Sequence, residues 1–177
     1  MENFLLENSG PFVSLFYYVE FSIRRCLNCG NVINCDTQQF NFFLIDLNST
    51  GKISELIHSV LVKKSKYPPH CKNCANKNNI ISKYFLNLPP YLIFYFSSKN
   101  KTEKILDNEI DLSPYYITGE PSKKYNLVSF ILEGNFDLYI KEQDSWLLYK
   151  DFNTIDNCLI EKDYKCIPHL IIYKKQD

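Results

Sequence analysis

The sequence predicts an α+β fold in which strands dominate. Of its 177 residues, 13 are Phe and 13 are Tyr, and most of them stand in short apolar runs that Pro, Gly or Asn clusters interrupt. Such runs are typical of strands separated by turns. One segment shows a clear helical periodicity, and two closely spaced cysteine pairs indicate a metal clamp. Together these observations favour one mostly β domain with one or two helices.

The predicted strands are spread along the whole chain. In chain order they lie at 11–25, 40–47, 80–87, 91–97, 125–132, 134–141, 145–150 and 169–175. Pro89 and Pro90 separate the strands at 80–87 and 91–97, because proline cannot continue a strand's hydrogen-bond ladder. The polar segment 98–124, which holds Pro114 and Gly119, is predicted to be a loop.

A helix is predicted between the second and third of these strands. Its apolar residues recur at the spacing of one helical face. They are Ile53, Leu56, Ile57, Val60 and Leu61. Ser49 or Thr50 is expected to help start this helix, since both residue types favour helix N-termini.

Composition limits the class of protein. Lys+Arg and Asp+Glu number 20 each, so no net charge attracts nucleic acid or an anionic membrane. The apolar run at 91–96 is far shorter than the roughly 20 residues of a membrane span. Met1 is not followed by a basic region and a long apolar stretch, as in a signal peptide. We expect a soluble intracellular domain, nuclear or cytoplasmic, without membrane or direct nucleic-acid contact.

Four of the seven cysteines form two Cys-x-x-Cys pairs, Cys26 with Cys29 and Cys71 with Cys74. Each pair can turn both thiolates toward one ion, and two pairs make a closed four-cysteine site that is typical of structural zinc. Reduced thiols remaining from a lost site are the alternative. His70 could replace one ligand, although four thiolates suffice without it.

The three other cysteines are not expected to bind metal. Cys35 is predicted to lie in a strand, and Cys158 and Cys166 are predicted at core or loop positions. A disulfide framework is not expected, because the number of cysteines is odd and no secretion signal is present.

A series of stretches in a fixed order resembles the ubiquitin-specific proteases. They are "CLNCGNV", "FFLIDL", "HCKNC", "LNLPPYLIF", "DLSPYY", "YNLVSFIL", "GNFDLYI", "SWLLYKD" and "HLIIYKK". The resemblance covers roughly residues 11–175 and implies a papain-like fold of thumb, palm and fingers. It implies a single domain, 1–177, with fingers at approximately 20–85, a palm at approximately 86–177, a four-cysteine zinc clamp and a thumb that is largely missing.

The resemblance also indicates a degenerate catalytic site. The family carries Gly-His-Tyr near its end, and Gly134, Asn135 and Phe136 occupy that place here. Asn135 therefore stands where the general-base histidine would be. An amide does not titrate at any useful pH, so it cannot accept the proton that cysteine proteolysis requires.

The other catalytic parts are also altered. Counting from Trp146, the acid that orients the base falls on Lys150 or, with a slip of one residue, on Asp151. The family's nucleophile lies in an N-terminal cysteine box, and no cysteine of this sequence precedes Cys26. No catalytic residue is therefore predicted, and the three remaining histidines are expected to have structural or solvated positions.

Three functions are consistent with these features. The first is a catalytically inactive domain that binds a protein, either ubiquitin or a spliceosomal (tri-snRNP) complex, to which one inactive family branch belongs. The second is a deubiquitinating cysteine protease whose N-terminal catalytic segment is missing or supplied by another chain. The third, a zinc-ribbon module on RNA, is disfavoured by the zero net charge.

Overall fold

The computed structural model describes residues 13–46, 51–65, 68–97, 102–117, 123–150, 153–160 and 164–176. Within them the chain forms one α-helix, α1 (Ile53–Leu61), and two 3-10 turns, Val13–Leu15 and Ser113–Tyr115. The strands are β1 (Tyr18–Cys26), β2 (Val32–Phe40), β3 (Phe43–Asp46), β4 (Gly51–Lys52), β5 (Val62–Lys64), β6 (Asn79–Asn87), β7 (Tyr91–Ser97), β8 (Lys104–Ile105), β9 (Glu109–Asp111), β10 (Lys124–Leu132), β11 (Leu138–Glu142), β12 (Ser145–Lys150), β13 (Asn153–Cys158), β14 (Lys165–Cys166) and β15 (Pro168–Lys175).

Two sheets contain most of these strands. The larger has the order β13-β12-β11-β10-β15-β7-β3, with β9 paired to β10. The second has the order β2-β1-β6-β5, and a small third sheet has the order β14-β8-β4. Neighbours in the first two sheets are antiparallel, except that β3 runs parallel to β7. The predicted α+β fold with a majority of strands is confirmed.

Stacked aromatic rings fill the core beneath the larger sheet. Phe43 on β3 stacks on Phe94 of β7 with ring centroids 5.1 Å apart, and Phe94 meets Tyr173 of β15 edge-on at 5.6 Å. Tyr18 of β1 stacks on Phe43 at 4.5 Å, which joins the second sheet to this core. All four side chains are buried. Because alternate strand residues point to opposite faces, the aromatic residues of these strands can pack on one side.

Helix α1 covers part of this core with its predicted face. Its buried residues are Ile53, Leu56, Ile57 and Leu61. The backbone amide of Lys52 donates to the Glu55 carboxylate at 3.2 Å, which satisfies one free amide at the helix start. The predicted starting residues Ser49 and Thr50 lie outside the described residues. With nine residues, α1 is too short to cross a membrane, and no other helix of the described segments could do so.

The segment 98–124, predicted as a loop, contains two short strands. β9 pairs with β10, and β8 pairs with β14 and β4. Lys104 on β8 is fully buried, with its Nζ 2.6 Å from the Thr102 hydroxyl. The loop prediction was wrong here because distant strands supply the hydrogen-bond partners, which the polar composition of the segment does not reveal.

One predicted strand begins later than expected, and two observed strands were not predicted. The strand predicted at 134–141 begins only at Leu138, because Gly134 (φ 100°) and Phe136 (φ 57°) adopt left-handed backbone that a strand cannot contain. β2 was not predicted, since its polar sequence is exposed along most of its length. β13 was not predicted either.

We expect Phe94→Ala to lower the free energy of unfolding by about 3–5 kcal/mol, because it removes the central ring of the aromatic stack and leaves a cavity. Urea unfolding followed by Trp146 fluorescence would measure the change. Phe42→Ala is the matched control, since that ring is 50% exposed and should cost far less. Equal losses in both variants would contradict the assignment of the core to this stack.

Candidate functional site

Four cysteine sulfurs lie together at one end of the four-stranded sheet. Cys26 is the last residue of β1, and Cys29 lies in the turn between β1 and β2. Cys71 and Cys74 lie in the segment between β5 and β6. The four Sγ atoms lie within 4.8 Å of one another, and the Cys26–Cys74 and Cys29–Cys71 pairs are 3.6 Å apart. Sulfurs placed tetrahedrally at about 2.3 Å from an ion are roughly 3.8 Å apart. The cluster could therefore hold a metal ion.

The same backbone turn presents both cysteine pairs. The Gly30 amide donates to the Cys26 carbonyl at 2.9 Å, and the Ala75 amide donates to the Cys71 carbonyl at 2.8 Å. The residue after the second cysteine is left-handed in each turn, with φ 71° at Gly30 and 54° at Ala75. Glycine adopts this backbone without strain, whereas alanine does so at a cost. The fold thus holds two equivalent turns against each other.

The thiols of the cluster differ in acidity. The backbone amide of Asn73 is the main cause that lowers the pKa of Cys71 to about 6. The backbone amide of Asn31 lowers the pKa of Cys29, but burial and the sulfurs of Cys74 and Cys71 outweigh it and raise that pKa to about 11. A cation bound by these cysteines would release protons from them, because thiolates are the metal ligands.

The neighbouring candidates lie outside this cluster. His70 is exposed, and its Nδ1 is 3.0 Å from the Ala75 carbonyl, so it contacts the second turn and not the sulfurs. Cys35 is exposed on β2, Cys158 is half-buried on β13, and Cys166 is buried on β14.

Asn135 lies in the turn between β10 and β11. Its side chain is exposed, and its Nδ2 donates to Asp137 Oδ2 at 2.5 Å. Asp137 is only 6% exposed. The turn is closed by the Leu132 amide, which donates to the Asp137 carbonyl at 3.0 Å. The amide group at position 135 is therefore fixed as a hydrogen-bond donor to a buried carboxylate.

The predicted position of the orienting acid is only partly described. Lys150 is exposed at the end of β12, where its backbone pairs with that of Asn153 on β13. Asp151, the alternative for this role, lies outside the described residues.

A histidine stands beside this turn that sequence reasoning left without a role. His169 opens β15, next to β10, and its Nδ1 is 2.9 Å from Glu133 Oε2. Its ring lies edge-on to Phe136 at 5.3 Å and to Tyr95 at 5.2 Å. A carboxylate on one ring nitrogen is the arrangement that orients a general base. No signal in the sequence pairs Glu133 with His169, because only the β10–β15 pairing brings them together.

Comparisons with known proteins agree with this architecture. The chain matches the ubiquitin carboxyl-terminal hydrolase family over residues 2–162. It is also 28% identical over 149 residues to a protein of Eimeria tenella named DNA-directed RNA polymerase subunit beta. That match covers 84% of this chain and 12% of the Eimeria protein, so the similarity concerns a small part of it.

Solved structures share the fold. One is the SAGA Ubp8/Sgf11/Sus1/Sgf73 deubiquitinating module bound to ubiquitin aldehyde, with a TM-score of 0.78 and 16% identity over 99% of this chain and 46% of that one. Another is a yeast SAGA deubiquitinating module, with a TM-score of 0.79, 18% identity, and coverage of 99% and 45%. This chain spans less than half of those chains. With this family match, the fold shared with these structures and the four-cysteine cluster, the chain belongs to the ubiquitin carboxyl-terminal hydrolase family and has a ubiquitin-specific-protease-like fold.

Proposed function

We propose that this domain binds a protein partner and has no hydrolytic activity of its own. The observation that carries the proposal is the hydrogen bond from the Asn135 amide to Asp137 at 2.5 Å. In the ubiquitin-specific proteases that the sequence resembles, the place of residue 135 is held by the histidine that takes a proton from the nucleophile. In this chain the position holds the amide of Asn135, which does not titrate and donates its hydrogen bond to the carboxylate of Asp137.

The residues around Asn135 favour protein binding over hydrolysis. Phe136 is 61% exposed in left-handed backbone, so the turn displays an aromatic ring to solvent at the cost of strain. Lys150 at the place of the orienting acid would repel a protonated base. Large exposed aromatic residues are frequent anchors of protein interfaces.

Ubiquitin is the first partner to test. The solved structures of similar fold include one module bound to ubiquitin aldehyde and one bound to monoubiquitin. Each aligns with 99% of this chain, which supports a test of ubiquitin as its partner. We assign the fingers to approximately 20–85 and the palm to approximately 86–177 of a single domain, 1–177. Membership of a spliceosomal complex remains a prediction from the resemblance alone.

We further propose that the four-cysteine cluster holds a structural zinc ion. Four sulfurs, with no described His, Asp or Glu side chain in the same group, make a closed site, which suits a structural role better than a catalytic one. The ion would join the β1–β2 turn to the segment before β6, and so fix the end of a sheet that has few buried residues.

Hydrolysis by a base other than Asn135 is the second candidate function. The specific observation in its favour is the 2.9 Å contact between His169 and Glu133, which lies in the same turn as Asn135. A cysteine supplied by another polypeptide segment would then be deprotonated by His169 in place of the residue at 135. This candidate makes a different prediction for the His169 variants below.

The purified chain is expected to show no turnover of a fluorogenic ubiquitin C-terminal substrate, with or without added thiol. Asn135→Ala and His169→Gln should both match the wild-type background. Any turnover by the purified chain would contradict the proposal. The second candidate needs a cysteine from another polypeptide, so the assay is repeated on a tagged chain isolated together with its bound partners. Turnover of that complex that falls by roughly 100-fold or more in His169→Gln but persists in Asn135→Ala would establish the second candidate.

Ubiquitin is expected to bind the chain saturably in biolayer interferometry, and Phe136→Ala should weaken that binding about tenfold or more because an exposed aromatic anchor is lost. Leu159→Ala is the matched control, since Leu159 is 89% exposed after β13 and is not part of the β10–β11 turn. Absence of binding would remove ubiquitin as the partner, and equal losses in both variants would remove Phe136 as the anchor.

Stoichiometric zinc should co-purify with the chain, and strong chelators should lower its melting temperature. Cys71→Ser should abolish zinc retention, because a serine hydroxyl is a poor zinc ligand in place of a thiolate. Cys35→Ser, a substitution on β2 of the same sheet, is the control and should retain the metal. Metal analysis that finds iron, or melting that chelators do not change, would contradict the zinc assignment.

A further inference from the structure

One face of the four-stranded sheet contains a polar trough of about 220 Å³. Its floor follows the strand register. Arg24 on β1 lies opposite Asn34 on β2 and Ile81 on β6, and Lys63 on β5 lies opposite Ile81 from the other side. Two neighbouring strands separate the Cα atoms of Arg24 and Lys63 by about 10 Å, with the Ile81 side chain between them.

The two acids of the trough already have partners. Glu20 is 4% exposed and forms an ion pair with Lys83 at 2.8 Å. Asp36 accepts hydrogen bonds from the Gln38 side chain at 2.8 Å and from the Thr37 amide at 2.9 Å. Among the described residues, no ion pair joins either carboxylate to Arg24 or Lys63.

Arg24 and Lys63 lack such partners among the described residues. The Nε of Arg24 is shielded from solvent and has no hydrogen-bond acceptor. A shielded charged donor without an acceptor is unfavourable and uncommon in folded proteins. A ligand that supplies an acceptor to this guanidinium would remove that penalty.

The charge of the trough selects among possible anions. Arg24, Lys63 and Lys83 contribute three positive charges, whereas Glu20 and Asp36 contribute two negative ones. The balance of one positive charge complements a carboxylate better than a doubly charged phosphate. The planar guanidinium can bind both oxygens of a carboxylate, and Ile81 offers apolar contact for the methylene groups of a glutamate side chain.

We propose that this trough binds an acidic segment of a protein partner, with a carboxylate held by Arg24 and a second contact at Lys63. The inference rests on the proposed role of the chain as a protein-binding domain. It places an acidic contact on the four-stranded sheet, away from the β10–β11 turn that carries Asn135 and Phe136. The partner that it describes is recognised by its acidic side chains.

The test uses the full zinc-loaded chain and a short fluorescent Gly/Glu-repeat peptide, with binding followed by fluorescence anisotropy at low salt. We expect saturable binding that Arg24→Gln weakens about tenfold or more, because a charged hydrogen-bond pair is lost. Lys63→Gln should weaken it less. Lys141→Gln, a change of an exposed lysine on β11 of the larger sheet, is the matched control and should bind as the wild type does.

Several results would overturn the inference. They are the absence of saturable binding, equal losses in Arg24→Gln and Lys141→Gln, and displacement of the peptide by inorganic phosphate at concentrations where acetate has no effect. Far-UV circular dichroism and zinc content of each variant exclude misfolding as the cause of a loss. Ubiquitin binding and hydrolysis are measured with other variants, so failure here leaves the proposed function to its own tests.

Discussion

The contact between two cysteine turns is the constraint on which the four-stranded sheet depends. β1 and β2 are neighbours in sequence, but β5 and β6 join them from a distant part of the chain. β2 has no buried residue, so apolar burial contributes little to holding this end of the sheet. Instead, the four sulfurs of the two turns lie within 4.8 Å of one another. A metal ion bound to all four would offset the entropic cost of bringing these distant parts of the chain together.

A different interaction stabilises the larger sheet. Its strands share a continuous aromatic core in which Phe94 meets rings from β3 and β15. Tyr18, at the start of β1, packs into the same core and so anchors the base of the four-stranded sheet. Apolar packing thus stabilises the larger sheet. The four-stranded sheet is held at one end by Tyr18 in the same core and at the other end by the cysteine cluster.

The turn from β10 to β11 combines a side-chain hydrogen bond at position 135 with a closure made by backbone atoms. Asn135 keeps its hydrogen-bonding side chain at the surface, and Asp137 below it accepts the bond. Leu132 and Asp137 close the turn through backbone atoms, which do not depend on the side chain at 135. A substitution at position 135 would therefore leave the backbone path of the turn in place. His169, beside this turn, keeps an imidazole within reach of a carboxylate.

The sequence by itself determined the strand-rich class, the helix at 53–61 and the four cysteines, because apolar periodicity and a Cys-x-x-Cys gap are local patterns. It also predicted Asn135 at the place of the family's general base, since that expectation needs only the order of motifs. The pairing of Glu133 with His169 was decided by the tertiary structure, as were the burial of Lys104 and the trough around Arg24. Each of these joins residues on strands that are distant in sequence, and strand register depends on hydrogen bonds and packing across the whole sheet.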